Sequence, residues 1–161
     1  MSAVPPPYVG VIGAGDASEE LAAAAEAVGA GLARGGAVLV CGGLGGVMAA
    51  ACRGAAEAGG TTVGLLPGLD RADANPWVTV AVATGMGELR NGLVVRASDA
   101  LIALGGGPGT LSEIGFALKV GRPVVGLGTW ELARGGVGDA SIVVAAAPAE
   151  AVERALGLAR G

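Results

Sequence analysis

The residues best suited to chemistry stand in the stretch Gly105–Glu113, which reads Gly-Gly-Gly-Pro-Gly-Thr-Leu-Ser-Glu. A glycine-rich bend that opens into a helix leaves main-chain N–H groups unpaired at the positive end of the helix dipole. That arrangement suits an anion, above all a phosphate. The amides of Gly106, Gly107, Gly109 and Thr110 are the expected donors. Thr110 and Glu113 stand at capping-box spacing, so the Glu113 carboxylate either closes the helix start on the Thr110 N–H or faces a ligand. Upstream, Arg90 supplies a cation and Asn91 an amide, each with a plain alternative on a solvated helix face, Arg90 beside Glu88.

Such a bend needs a strand before it and a helix after it. Ala100–Leu104 is an unbroken apolar run that reads as a buried strand, and Leu111, Ile114 and Leu118 give the following helix an apolar face to about Val120. The same unit occurs earlier. Tyr8–Ile12 is a strand ended by Gly13-Ala-Gly15, with Asp16 and Glu19 as a capping box before a helix that Gly35-Gly36 stops. Ala37–Cys41 is a second strand, followed by a glycine loop over Gly42, Gly43, Gly45 and Gly46 and a helix to about Gly59. Thr61–Leu66 is a third strand, Asp73–Pro76 a turn, Val78–Ala83 a strand and Met86–Ala97 a short helix. Arg122–Leu127 and Ser141–Ala145 are strands separated by a flexible connection over Gly135–Asp139, and Pro148–Arg160 is a closing helix.

Strands alternating with helices imply right-handed crossovers and a parallel sheet covered on both faces, hence a three-layer, doubly wound, Rossmann-like α/β fold. Ligands of such sheets sit beyond the carboxyl ends of the strands. The loops at Gly13, Gly42 and Gly105 should gather there. With 32 glycines in 161 residues a glycine triplet alone carries little weight; three glycine loops, each between a strand and a helix, carry more.

Composition narrows the function. The length suits a single domain over residues 8–161 behind a loose tail over residues 1–7, stiffened by Pro5-Pro6-Pro7 and lacking the features of a secretion signal. Aromatics make up only 2 % of the chain, so the core must be built of small aliphatic side chains between closely approaching layers. Trp77 and Trp130 are expected in the core or on a dimer surface. A net charge of -4 with one lysine, Lys119, offers no patch for a nucleic-acid backbone. The absence of histidine removes Ser-His-Asp and Cys-His catalysis and the commonest metal ligand, and no metal site is expected.

Cys41 and Cys52 have neither zinc nor disulfide-framework spacing and read as buried apolar residues in a reduced, cytoplasmic setting. The uncharged run Gly35–Cys52 is long enough to raise a membrane span, but its glycine pairs argue for strand and loop. The dinucleotide fingerprint fails, because Ser18 stands at the third glycine position and Cys41-Gly42 end the second strand in place of an acid. No Gly-x-x-x-x-Gly-Lys-Ser/Thr occurs either.

The ordered blocks Gly42–Met48, Glu88-Leu-Arg90-Asn91, Ser98-Asp-Ala100 and Gly106–Glu113 resemble the superfamily of the LOG-type cytokinin-activating phosphoribohydrolases, long labelled lysine decarboxylases, and the molybdenum-cofactor carrier proteins. Gly105-Gly106-Gly107, where the hydrolases begin Pro-Gly-Gly, and Arg90-Asn91, where they have Arg-Lys, resemble the carrier-like branch. The resemblance implies a homodimer and a ligand such as molybdenum cofactor or a nucleotide, with no cofactor needed for catalysis. The alternative that the resemblance implies is an enzyme that hydrolyses a nucleoside 5′-monophosphate to base and ribose 5-phosphate, with Arg90 and Glu113 as its catalytic residues. Decarboxylation is not expected, since no lysine stands where a pyridoxal cofactor would be held.

Overall fold

The computed structural model describes residues 3–161. Met1 and Ser2, part of the expected N-terminal tail, lie outside the described residues, and residues 3–7 have no regular structure. Seven parallel strands form one sheet: β1 (Tyr8–Gly13), β2 (Val38–Cys41), β3 (Thr62–Leu66), β4 (Val80–Ala83), β5 (Ala100–Leu104), β6 (Val124–Leu127) and β9 (Ile142–Val144). Their order is β4-β3-β2-β1-β5-β6-β9. The chain therefore winds outward from β1 in one direction, returns to the other side of β1 as β5, and winds outward again. The expected doubly wound α/β fold is observed.

Five helices cover the two faces: α1 (Glu19–Arg34), α2 (Val47–Glu57), α3 (Arg90–Ala97), α4 (Pro108–Lys119) and α5 (Pro148–Arg160). Helices α1, α2 and α5 pack over one core, with Val28, Leu32, Leu39 and Ile102 at its centre. Helices α3 and α4 close the other over Ile12, Val40, Leu101 and Ile114. Every residue of β5 is buried, as expected of a central parallel strand covered on both faces. The scarcity of aromatics is answered by close approach: a β-carbon at Gly29 would strike the Ala51 carbonyl, and one at Gly54 the Glu26 carbonyl, so α1 and α2 nearly touch backbone to backbone.

Four expectations are corrected. Helix α1 is capped by Ser18, whose hydroxyl accepts the Leu21 N–H at 3.2 Å, and not by Asp16; Ser18 holds the extended conformation that a cap requires. The segment expected as one helix from Met86 is a 3-10 turn, Gly87–Leu89, followed by α3. Helix α4 starts at Pro108, not Thr110, because proline has no N–H to lose at a first helical position and its φ is already helical. The connection over Gly135–Asp139 is ordered: β7 (Leu132–Arg134) and β8 (Val137–Asp139) form an antiparallel hairpin around Gly135 and Gly136, both at positive φ. This hairpin stands where a regular β6-to-β9 crossover would carry a helix.

No helix among the described residues is long and apolar enough to cross a membrane. The uncharged run holds the strand and loop that its glycine pairs suggested, followed by the first half of α2.

Candidate functional site

The order of the strands reverses between β1 and β5, and a cleft of about 210 Å³ opens at their carboxyl ends. Its walls come from all the loops expected there. The end of β1 and the turn after it contribute Gly13, Ala14 and Gly15, the loop after β2 contributes Gly42, α2 contributes Met48, α3 contributes Arg90 and Asn91, and the cap and first turns of α4 contribute Gly107, Pro108, Gly109, Thr110 and Glu113. Eight expected site residues thus line one cleft. The other four, Gly43, Gly45, Gly46 and Gly106, do not line it. Gly43 and Gly46 turn at positive φ, the former against Leu66 and the latter against Ala14, and Gly106 at φ +100 leaves room only for the Thr110 side chain.

Gly107 and Gly109 differ from these. Neither has a positive φ, and a β-carbon at either would meet nothing within 4 Å. Neither backbone strain nor protein packing requires glycine at these two positions, and their bare main chain is open to close approach from the cleft. Among the described residues, the N–H groups of Gly106, Gly107, Gly109 and Thr110 donate to no protein atom. The first intrahelical bond of α4 runs from Leu111 N–H to Gly107 O at 3.1 Å. The start of α2 is the second helix N-terminus at this edge, tied to the β1–α1 turn by Val47 N–H donating to Ala14 O at 2.9 Å.

Arg90 is only 8 % exposed. Its guanidinium lies on the backbone of Gly42, where a β-carbon would come within 2.7 Å of Cζ, Nη1 and Nη2, so Gly42 makes room for the cation. Nη1 donates to Asn91 Oδ1, while Nε is buried without a partner among the described residues. The alternative of an Arg90–Glu88 surface pair is not observed. A buried, half-satisfied cation at the base of a cleft is costly unless something else accepts from it.

Glu113 is also 8 % exposed. Because α4 begins upstream of Thr110, the capping box does not form, and the Glu113 carboxyl has no hydrogen-bond partner among the described residues. Burial raises its pKa from 4.5 to about 7, the nearby positive charge of Arg90 only partly opposing it. Burial lowers the pKa of Arg90, Glu113 opposing it; a guanidinium nonetheless stays charged.

Sequence reasoning missed the residues that hold the glycine loops in shape. Asn75 Nδ2 donates to the Leu44 carbonyl at 3.0 Å and the Gly43 carbonyl at 3.3 Å, and Asn75 N–H donates to Gly43 O at 2.9 Å. An Asn beside Pro76 reads as a turn former, which it also is. Cys41 and Cys52 are buried as expected, but their sulfurs meet at 3.4 Å, and Gly43 N–H reaches Cys41 Sγ at 3.3 Å. The neighbouring thiol and burial push the Cys41 pKa up. Trp77 and Trp130 are both 36 % exposed and outside the core; Trp77 carries Arg53 over its ring.

Residues 6–152 match the SLOG cluster4 family. The chain belongs to that family. This member is 48 % identical over 119 residues to an uncharacterised protein of Archaeoglobus fulgidus, covering 74 % of this chain and 78 % of that one. Its fold is similar to that of the molybdenum cofactor carrier protein of Chlamydomonas reinhardtii, with TM-score 0.86, 36 % identity, and 98 % of this chain and 100 % of that one covered. It is likewise similar to the molybdenum cofactor binding protein of the phototrophic bacterium Rippkaea orientalis, with TM-score 0.85, 34 % identity and coverages of 94 % and 96 %. The superfamily resemblance carried by the glycine blocks and Arg90 agrees with these matches.

Proposed function

We propose that this chain binds and carries a phosphorylated heterocycle, molybdenum cofactor or a nucleotide, with the phosphate on the amides of Gly106–Thr110. The observation that carries this reading is the pairing of glycines that no packing requires, Gly107 and Gly109, with a buried Arg90 whose Nε lacks a partner. The phosphate would take the free amides at the start of α4, and Arg90 would add a charge-assisted bond. Asn91 holds the guanidinium in place through Nη1. Ile12 and Met48 give the cleft an apolar wall for a ring. The similarity to two proteins described as binding or carrying molybdenum cofactor supports the same reading. Equilibrium dialysis against molybdopterin and against nucleoside monophosphates tests it: saturable binding that Arg90→Met weakens is expected, and no saturable binding of either class refutes it.

A second reading is favoured by one observation, the Glu113 carboxyl held near neutrality beside Arg90. Cleavage of an N-glycosidic bond develops positive charge on the ribose and needs a group that can orient or deprotonate water. Glu113 has the pKa for that work at neutral pH, and Arg90 would hold the phosphate or ribose hydroxyls. Incubation with adenosine monophosphate should then release adenine and ribose 5-phosphate, and Glu113→Gln should abolish the release. Retention of intact nucleotide by the wild-type chain selects the carrier.

A homodimer completes the proposal. Outermost strand β4 and the segments around it expose Leu69, Val80, Val82, Met86 and Leu89, an apolar surface that suits a second copy. Sedimentation should give a dimer that Val82→Lys dissociates; a wild-type monomer at all concentrations refutes it.

A further inference from the structure

The glycine bend that opens α4 receives two side-chain hydrogen bonds among the described residues, and both end on carbonyl oxygens. Thr129 Oγ1 donates to Gly105 O at 2.6 Å, and Trp130 Nε1 donates to Gly107 O at 3.2 Å. Both donors come from the short connection that leaves β6 and leads into the β7–β8 hairpin. Gly128, at φ +59, turns the chain there. We propose that Thr129 and Trp130 are positioning residues for anion binding, bracing the bend from its oxygen side so that its amides stay aimed at the ligand. The inference rests on the phosphate reading above.

The physical link is the planarity of the trans peptide. Within one peptide group C=O and N–H point in opposite directions, so fixing the Gly105 carbonyl on Thr129 turns the Gly106 N–H away from Thr129. Gly105 and Gly106 both have positive φ, and glycines left unbraced would spread over many conformations before an anion arrived. Ordering them in advance removes that entropy loss from binding. Hydrogen bonds at the two ends of one peptide also strengthen each other, so an anion accepting from Gly106 N–H tightens the Thr129 contact. Trp130 acts one step along. It shares the Gly107 oxygen with Leu111 N–H and so fixes the residue from which α4 starts. The hairpin that replaces a crossover helix thereby acquires a role, since it presents this pair beside the bend.

Inorganic phosphate is the probe, titrated calorimetrically into wild type, Thr129→Val, Thr129→Ser and Trp130→Phe, with thermal denaturation of each in parallel. Loss of one such bond should weaken phosphate binding about three- to tenfold. Thr129→Ser, which keeps the hydroxyl, should restore the wild-type affinity. In nitrogen-15 spectra the Trp130 indole N–H signal should move on adding phosphate while that of Trp77 stays in place. Variants that are less stable but bind phosphate as wild type does, with an unmoved Trp130 signal, overturn the brace and leave the phosphate reading standing. A wild-type chain that binds no phosphate overturns both. If Trp130→Phe does not fold, the Thr129 pair decides alone.

Discussion

Replacing Glu113 with Gln tests the electrostatics of the cleft without any ligand. Burial disfavours the charged carboxylate more than Arg90 favours it, so the folded chain holds the Glu113 proton up to about pH 7, whereas the unfolded chain releases it near 4.5. The folded-state pKa is raised, so the contribution to stability is complete below 4.5 and is lost as pH rises through about 7. The displacement of about 2.5 pH units, at about 1.4 kcal/mol each, gives about 3 kcal/mol at full loss. Between pH 5 and pH 8.5 most of that change should appear. Urea denaturation across this range should therefore show wild type losing about 2 to 3 kcal/mol more than Glu113→Gln, with equal urea dependence for both. Parallel curves for the two proteins would refute the argument, because Glu113 would then titrate alike in the folded and unfolded chains.

Three further substitutions separate binding from folding. Gly109→Ala fills open space in the first turn of α4, so it should raise stability by roughly 0.5–1 kcal/mol in thermal denaturation while weakening phosphate binding in calorimetry. Arg90→Lys should not rescue binding, since an ammonium cannot reproduce a planar guanidinium lying on Gly42; a loss of about tenfold or more in dialysis is expected. Gly54→Ala drives a methyl into the Glu26 carbonyl and should cost about 3 kcal/mol or more by urea denaturation, with phosphate affinity unchanged in the fraction that folds.

What the sequence disclosed follows the range of the interactions involved. Strand–glycine–helix units repeat visibly because hydrophobic period and chain breakers are local, so the sheet, the helices and the gathering of the loops at Gly13, Gly42 and Gly105 at one edge follow from the sequence, the last of them lining the cleft through Gly107. Helix starts were misjudged where two local signals competed: Ser18 outranked Asp16, and Pro108 outranked Thr110. The latter error bears on the site, since a capped Glu113 would have been unremarkable and an uncapped, buried one titrates near pH 7. The contacts of Asn75 with Leu44 and of Thr129 with Gly105 span long stretches of chain. Nothing in residue type marks them, and only the folded backbone brings them together. The Cys41–Cys52 approach is hidden for a different reason: a strand end and a helix turn must be docked before two sulfurs eleven residues apart can meet.

The amides at the start of α4 belong to the main chain, and a grip made of main chain responds oddly to mutation. Truncating side chains one by one, the usual way of finding a binding site, would pass over Gly107 and Gly109, which have nothing to truncate. Only enlargement can expose them. For the same reason drift in this part of the chain is one-sided: every substitution of Gly107 or Gly109 adds bulk on the side where the proposed phosphate would lie.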